Sequence, residues 1–560
     1  MKIYPGRKMD LVKHLLLAAF AAFLVCGMSL AREQNLTSKD EAAVQKDIKD
    51  TADKASDEAF AKALPIIHEW EAKGLPYTPW AALPSDLAPA AIPAFPGAQG
   101  GGMYSHGGRG GKVIVVTNLN DSGPGSFRDA VEQGGPRIVI FNVAGIIKLQ
   151  THVRIRAPYI TIAGNTAPGD GVCIAGNTVE IETHDVVVRY MRFRRGVTSV
   201  ADRDDSFGGN PVGNIMIDHV SASWGLDEDM SMYRHMYQPP ADANGKLPTA
   251  LKLPTVNITF QNCISSEALN PYNHAFGGTI GGLNSTFFRN LYACNVGRNP
   301  SVGMFGDFTF ANNVLFNWFE RTVDGGDERS FFNIINNYYK PGPVTPKDKP
   351  IAYRLLKPAS RRTKDPVDDF GKAYVEGNVV EGNATVTADN WAGGVQLEGI
   401  HTDPAILLRD IRSGEPYPHA NFDLLPASQT FEYVMSHAGA TLPKRDPVDE
   451  RIIQMTRTGV VTYKDGIITD PEQVGGYPEY KGEPYKSSAN DGFPDTWKIK
   501  YGLKPEVPLD PNGDMNGDGY TNIEKFIYGL DPHAPKVNWR DSKNSVDPLE
   551  KVAAMPSGKP

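Results

Sequence analysis

The chain has 560 residues, of which 41% are hydrophobic and 22% charged, and its formal net charge is −8 at pH 7. Such a composition excludes a mainly disordered, collagenous or multi-span membrane protein, and the acidic balance disfavours nucleic-acid binding, because neutralising phosphates needs a basic surface. The 56 glycines and 43 prolines imply many turns between short elements.

In chain order, basic residues up to position 14 precede the apolar run Leu15 to Leu24 and the small residues Ser29 and Ala31, the pattern of a secretion signal over residues 1–31. A membrane anchor needs ~20 apolar residues, and here Gly27 and Ser29 interrupt the run. The protein is therefore expected to be secreted or periplasmic, with no membrane association after cleavage. Cleavage leaves Cys173, Cys263 and Cys294, an odd number that makes no disulfide framework.

Residues 32–93 read as a helical extension and proline-rich linker. Ser38 and Glu41 form a capping-box pattern ahead of an alanine-, lysine- and glutamate-rich stretch, and prolines then recur from Pro76 to Pro96.

From 94 to 383 the pattern changes to short β-branched or aromatic runs separated by Gly, Asn and Asp. Five runs set Asn262, Asn290, Asn313, Asn337 and Asn378 just ahead of two mostly apolar residues, at steps of 28, 23, 24 and 41 residues. That period predicts an all-β solenoid, a parallel β-helix in which each coil leans on its neighbours. The amides would pair from coil to coil at the ~4.8 Å strand spacing. Tyr190 and His219 fit the same ladder position in two earlier runs.

If the coils stack, the residues eight past the ladder form one outer column: Asp227, Asn270, Arg298 and Arg321. An acid then lies about 10 Å, two rungs, from an arginine, a gap suited to a sugar carboxylate. Glu228 and Asp229 adjoin Asp227, and one coil earlier a polar loop holds Asp202, Asp204 and Asp205. Converging carboxylates without cysteine suit a hard cation such as Ca2+, with Asp205, Asp227 and Glu228 as candidate ligands. Asp218, inside a strand, is expected to hydrogen-bond a turn. Cys263 and Cys294 are displaced by about 10 Å along neighbouring strands, beyond the ~7 Å reach of a disulfide, so free thiols are expected.

Residues 384–487 lack clear periodicity and are expected to lie on the solenoid. In 488–535, Asp514, Asn516, Asp518 and Gly519 match the opening of a calcium loop. Its twelfth position is Lys525, with Glu524 one place early. The run is similar to a thrombospondin type 3 loop, and Asp514, Asn516, Asp518 and Glu524 are candidate ligands of a structural Ca2+. Residues 536–560 read as a flexible tail.

Several stretches taken together resemble the pectate lyases of polysaccharide lyase family 1, especially a secreted bacterial branch. They are Ala94 to Gly100, Gly107 to Lys112, Thr117 to Ser126, Thr161 to Asp170, the Ile217-Asp-His-Val-Ser-Ala-Ser-Trp224 run, Arg298-Asn-Pro300 and Asn336 to Gly342. The resemblance implies a right-handed parallel β-helix and calcium-dependent β-eliminative cleavage of polygalacturonate, the acidic polysaccharide of pectin. It places calcium on Asp205 and on Asp227 or Glu228, and makes Arg298 the catalytic base.

Gly303 stands where many relatives carry a second arginine, so Arg321 is the candidate for that charge. The lysine that grips the substrate carboxylate in relatives has no clear match; His274 lies nearest, and His274 and Lys340 are rival bases. His274, Arg321 and Lys340 are thus the candidate substrate-binding residues, and a monomer is expected. Two readings of other classes stay open: a non-catalytic β-helix that binds acidic polysaccharide, and a polygalacturonan hydrolase with paired carboxyl groups ~6.5–9.5 Å apart.

Overall fold

The computed structural model describes residues 43–44, 46–197, 203–541 and 546–553. The signal segment 1–31, Asp202 and the last residues of the tail lie outside them. Within residues 1–55 the described positions are helical. The second compact unit, Ser56–Pro560, opens with helix through residue 71, whose Ala63 and Ile67 pack on Ala157.

The β-branched runs become the coils of a parallel β-helix. Among the described residues, one face is a 10-stranded sheet that starts at Lys112–Val116, includes Gly213–Asp218, Val256–Gln261 and Leu283–Phe288, and ends at Lys372–Glu376. A second face has nine strands, from Gly145–Lys148 to Val379–Val380. The third is split into two four-stranded sheets, one ending at Met230–Ser231 and the other running from Thr279–Ile280 through Ser301–Val302 and Val323–Gly325 to Leu356–Pro358. All coil-to-coil pairings in these faces are parallel.

Alternate side chains turn inward, so Val186, Val188, Ile215, Ile217, Ile258, Phe260, Phe287, Phe308 and Phe310 stack in one continuous core. Each such side chain contributes about 1.5–3 kcal/mol by leaving water. The outer surfaces of two faces are covered as well. Residues of 384–487 bury Val434, Met435, Ile452 and Met455 on Ile264, Leu291, Val314 and Phe316 of the nine-stranded face. The C-terminal segment lays Phe493, Tyr520, Ile523 and Ile527 on Ile138, Ile140, Val187 and Met216 of the 10-stranded face. Helix Pro447–Thr458 is delimited by sequence: Asp446 caps it by accepting from the Asp449 amide, proline opens it, and Gly459 closes it at φ 73°.

A polar seam joins that helix to the solenoid. Arg194, fully buried, donates to both carboxylate oxygens of Asp446 at 2.9 and 2.8 Å and to Asp449 at 2.9 Å, while Tyr480 donates to Asp446 at 2.6 Å. Although burial works the other way, Arg194 and Arg192 hold the Asp446 carboxyl below the usual carboxylate range.

The asparagine ladder exists, with a correction. Asn290 donates through its side-chain amide to Asn313 Oδ1 at 3.0 Å, Asn313 to Asn337 at 3.0 Å, Asn337 to Asn378 at 2.8 Å and Asn378 to Asn390 at 2.9 Å. Asn262 is not a member. Strand register pairs Gln261 with Phe288, which sets Asn262 beside Arg289, and the ladder column on that coil holds Cys263, whose amide donates to Asn290 Oδ1 at 2.8 Å.

Tyr190, His219, Asn262, Arg289, Asn312 and Asn336 instead form the corner column, all with φ between 50° and 60°. A left-handed corner and an amide ladder both favour asparagine, so spacing alone does not separate two columns one residue apart. Cys173, Cys263 and Cys294 are buried free thiols.

Asn313→Ala removes a buried amide that also donates to the Phe287 carbonyl at 3.0 Å and accepts from the Asn290 amide at 2.9 Å. The expected loss is about 3 kcal/mol of unfolding free energy, read by urea denaturation; a loss under about 1 kcal/mol would show that the rungs hold without the ladder.

Candidate active site

The site lies where the third face divides. Glu228 bridges to Phe276 and Phe276 to Gly297 across neighbouring coils, so the insertion after Asn270 delivers Phe276, and not Asn270, to the rung between the acids and the arginine. The predicted column is corrected at two places: Phe276 stands where Asn270 was expected, and Glu228, not Asp227, shares its rung. Gly278 makes the passage possible, since a Cβ there would collide with the Met230 carbonyl.

Asp205, Asp227 and Glu228 converge, with one carboxylate oxygen of each lying within 4.8 Å of the others. Backbone bonds set them: the Leu226 and Asp227 amides donate to the Asp204 carbonyl at 3.0 and 3.2 Å, and the Glu228 amide donates to Asp205 Oδ1 at 3.2 Å. Asp204 itself pairs with Arg195. Asp229 turns away and accepts from the Gly225 amide at 3.1 Å.

Opposite the acids, Arg298 Nη1 donates to Glu228 Oε1, and Thr279 Oγ1 donates to the same oxygen at 2.9 Å. Arg298 sits at φ 50°, a left-handed conformation costing about 1–2 kcal/mol for a side chain of this kind. Asn299 holds the strained turn by donating to the Arg321 carbonyl at 3.0 Å, and Asn295 donates to Asn299 at 3.2 Å. The guanidinium carbons of Arg298 and Arg321 both lie 4.4 Å from the centre of the Phe276 ring. His274 Nδ1 pairs with Asp227 Oδ1.

The electrostatics follow from this crowding. Burial, reinforced by Glu228 and Asp227, pushes the Asp205 carboxyl well above its usual range. Burial and the neighbouring Glu228 push Asp227 up to about 7. Glu228 is buried too, yet Arg298, Asp227 and Thr279 hold it below the ordinary value. Burial and Arg298 lower the His274 imidazole. Three hard oxygens kept close against their own repulsion fit Ca2+, which takes six to eight oxygen ligands and leaves the remaining positions to water or substrate.

With that geometry in hand, comparison with known proteins is decisive. The chain is 35% identical over 432 residues to probable pectate lyase C of Neosartorya fischeri, a match covering 75% of this chain and 90% of the relative. It is 36% identical over 429 residues to probable pectate lyase C of Aspergillus fumigatus, again 75% and 90%. The chain belongs to the pectate lyase family.

No protein-family model matches this pectate lyase homologue. Among solved structures it is similar to jun a 1, the major allergen from cedar pollen, at 16% identity and a TM-score of 0.42 over 61% of this chain and 92% of the other. It is also similar to a Bacillus subtilis pectate lyase mutant at 14% identity and 0.37, over 61% and 97%.

One expectation needs correction. Lys340 lies on the nine-stranded face, in strand Tyr338–Lys340, where it pairs with Glu381 at 2.9 Å and faces Phe431; it is on a different wall from Arg298 and joins no site. The absence of the second arginine has a steric reason: a side chain at position 303 would run into the ring of Tyr233. Asp218 and His219 of the Asp-His motif are buried at the 10-stranded face, where Asp218 accepts from Arg189 at 2.7 Å and Gln261 at 2.8 Å. Phe276 and Thr279 went unread in the sequence, because a lone aromatic and a threonine carry no signal without the register.

The C-terminal loop also departs from expectation. Lys525 Nζ donates to Asp514 Oδ1 at 2.6 Å, to Asp518 Oδ1 at 3.0 Å and to the Tyr520 carbonyl. These are the first, fifth and seventh positions of a calcium loop, and Lys525 is the twelfth. Glu524 is turned away: it completes the cap of helix Asn522–Ile527 with Thr521 and accepts from Arg109 at 2.9 Å. The ammonium thus fills the place of the ion, a correction to the calcium clip expected from the motif.

Two outcomes follow. Equilibrium dialysis should find one Ca2+ per wild-type chain and a second in Lys525→Glu; two in the wild type would contradict the ammonium's placement. Since the Asp227 carboxyl must lose its proton to act as a ligand, calcium affinity at the acidic cluster should rise as pH rises through about 7, which calorimetry on either side of that pH would show.

Proposed function

We propose that this protein is an exported, calcium-dependent pectate lyase that cleaves (1→4)-α-D-galacturonan by β-elimination. The observation that carries the reading is Arg298 in contact with Glu228 of the three-carboxylate cluster, in a chain of pectate lyase family membership. We take Asp205, Asp227 and Glu228 as the calcium ligands, Arg298 as the catalytic residue, and His274 and Arg321 as substrate-binding residues. The motifs support a place in a secreted bacterial branch, acting as a monomer. Export rests on the N-terminal pattern; among the described residues no helix is long and apolar enough to cross a membrane.

Calcium at the cluster supplies a Lewis acid for the uronate carboxylate, on which negative charge builds as the C5 proton leaves. Arg298 lies beside the place where that carboxylate meets the cluster and takes the C5 proton. The electron pair forms the C4–C5 double bond, the C4–O bond breaks, and the leaving oxygen takes a proton from water.

Arginine is protonated in solution, but the side chain that balances its charge here is Glu228. Glu228 would be one of the residues holding the cation, so Arg298, which contacts it, would lie beside that positive charge. The guanidinium groups of Arg298 and Arg321 both lie against the Phe276 ring, an attractive cation–π arrangement. The hydrolase reading fits less well, because the carboxylates are nearer one another than the ~6.5–9.5 Å gap that admits a water for inversion.

Ultraviolet absorbance of the unsaturated uronide on polygalacturonate tests the proposal. Arg298→Ala should lower kcat about a thousandfold, and chelation should abolish product release until calcium is restored. His274→Ala should raise KM with a smaller effect on kcat. New reducing ends without the unsaturated product would point to hydrolysis; binding without either product would point to a silent receptor.

A further inference from the structure

The third face carries positive charge beyond Arg298. Strand register pairs Ser301 with Asp324 and Asp324 with Lys357, and the residues three positions earlier on these coils are Arg298, Arg321 and Arg354. The backbone agrees: the Asn299 amide donates to the Thr322 carbonyl at 3.3 Å, and Thr322 Oγ1 donates to the Arg354 carbonyl at 3.0 Å. An arginine therefore recurs on three successive coils at ~4.8 Å per rung.

A cleft of about 880 Å³ begins at Arg321 and continues past Arg354 and Lys357, with Phe319, Leu397 and Pro404 among its walls. Two carboxylates line it: Glu320 pairs with Arg321 at 3.2 Å at its mouth, and Glu398 lies farther along. Glu398 accepts from Arg354 Nη2 at 2.5 Å through one oxygen and from Lys357 Nζ at 2.7 Å through the other. Arg354 is only 9% exposed and Glu398 is 52% exposed. A nearly buried guanidinium, with its Nε donated to Gln396 at 2.7 Å, is a preorganised anion site; a half-exposed glutamate is a partner that can swing into water.

We propose that Arg354 and Lys357 form a distal subsite for a uronate carboxylate, and that Glu398 is its built-in competitor, displaced when a long acidic chain fills the cleft. This rests on the proposed function, since the chain bound at Arg298 is the one that reaches Arg354. A sugar unit spans about one rung, so the subsite lies two units from the reacting one: trigalacturonate centred on Arg298 does not reach it, and hexagalacturonate does. Glu398 thus sets how strongly the enzyme distinguishes long from short chains.

Steady-state kinetics on both oligomers test this. Glu398→Gln keeps the shape and removes the competing charge, and should lower KM for hexagalacturonate about fivefold while leaving trigalacturonate and both kcat values unchanged. Lys357→Met, at a residue 30% exposed, should raise KM for the hexamer alone, and Arg354→Gln should do so more strongly. Glu381→Gln makes the same charge change on the nine-stranded wall, at the partner of Lys340, and should move neither KM.

If Glu398→Gln and Lys357→Met retain the wild-type ratio of the two KM values, the subsite is refuted. If Glu381→Gln reproduces the gain, the effect is one of net charge and the subsite is equally refuted. A wild type that releases no unsaturated product from either oligomer refutes the lyase reading itself, a result distinct from these.

Discussion

Everything functional in this molecule depends on parallel strands repeating at one rung per coil. Hydrogen bonding along the 10-stranded and nine-stranded faces fixes that spacing, and the amides from Asn290 to Asn390 repeat it inside the core. A buried amide with every donor and acceptor used is costly to break and tolerates little displacement. Register is therefore set where no solvent or ligand can disturb it, and the exposed third face inherits it. Glu228 and Arg298 are 70 residues apart in sequence, yet they meet because each holds its place on a coil.

The third face uses this regularity to arrange charge. Acids collect where the sheet divides, and arginines follow on the next coils. In the interior, Arg194 is paired with two carboxylates, Asp446 and Asp449, and Arg189 with Asp218 and Asp547. At the site the matching is left incomplete, with three carboxylates against one contacting guanidinium. Burial, with repulsion from the neighbouring carboxylates, raises Asp205 and Asp227. The strain at the Arg298 backbone belongs to the same picture, since strain of that kind persists where surrounding bonds over-determine the conformation.

The covering segments make the β-helix a one-sided device. Residues 384–487 and the C-terminal segment close two faces with apolar contacts and buried ion pairs, and the third face carries the carboxylate cluster and Arg298. Within the C-terminal cover, Lys525 places an ammonium between the Asp514 and Asp518 carboxylates. A covalent cation ties the loop's stability to the chain itself.

Much of this was legible in sequence. Repeats of β-branched runs with phased asparagines specify a parallel β-helix because only stacking buries such a pattern; equal offsets singled out Asp227 and Arg298, adjacency added Glu228 and the loop one coil earlier Asp205, and the family resemblance gave Arg298 its role. What sequence could not decide was anything one residue or one wall wide. The slip between Asn262 and Asn290, the replacement of Asn270 by Phe276, the removal of Lys340 to another wall and the ammonium in the C-terminal loop all depend on how insertions are absorbed and where side chains have room. Local sequence determined the repeat and its chemistry; tertiary packing alone decided which of the repeated residues face one another, because the strand period of two turns any single-residue shift into a change of face.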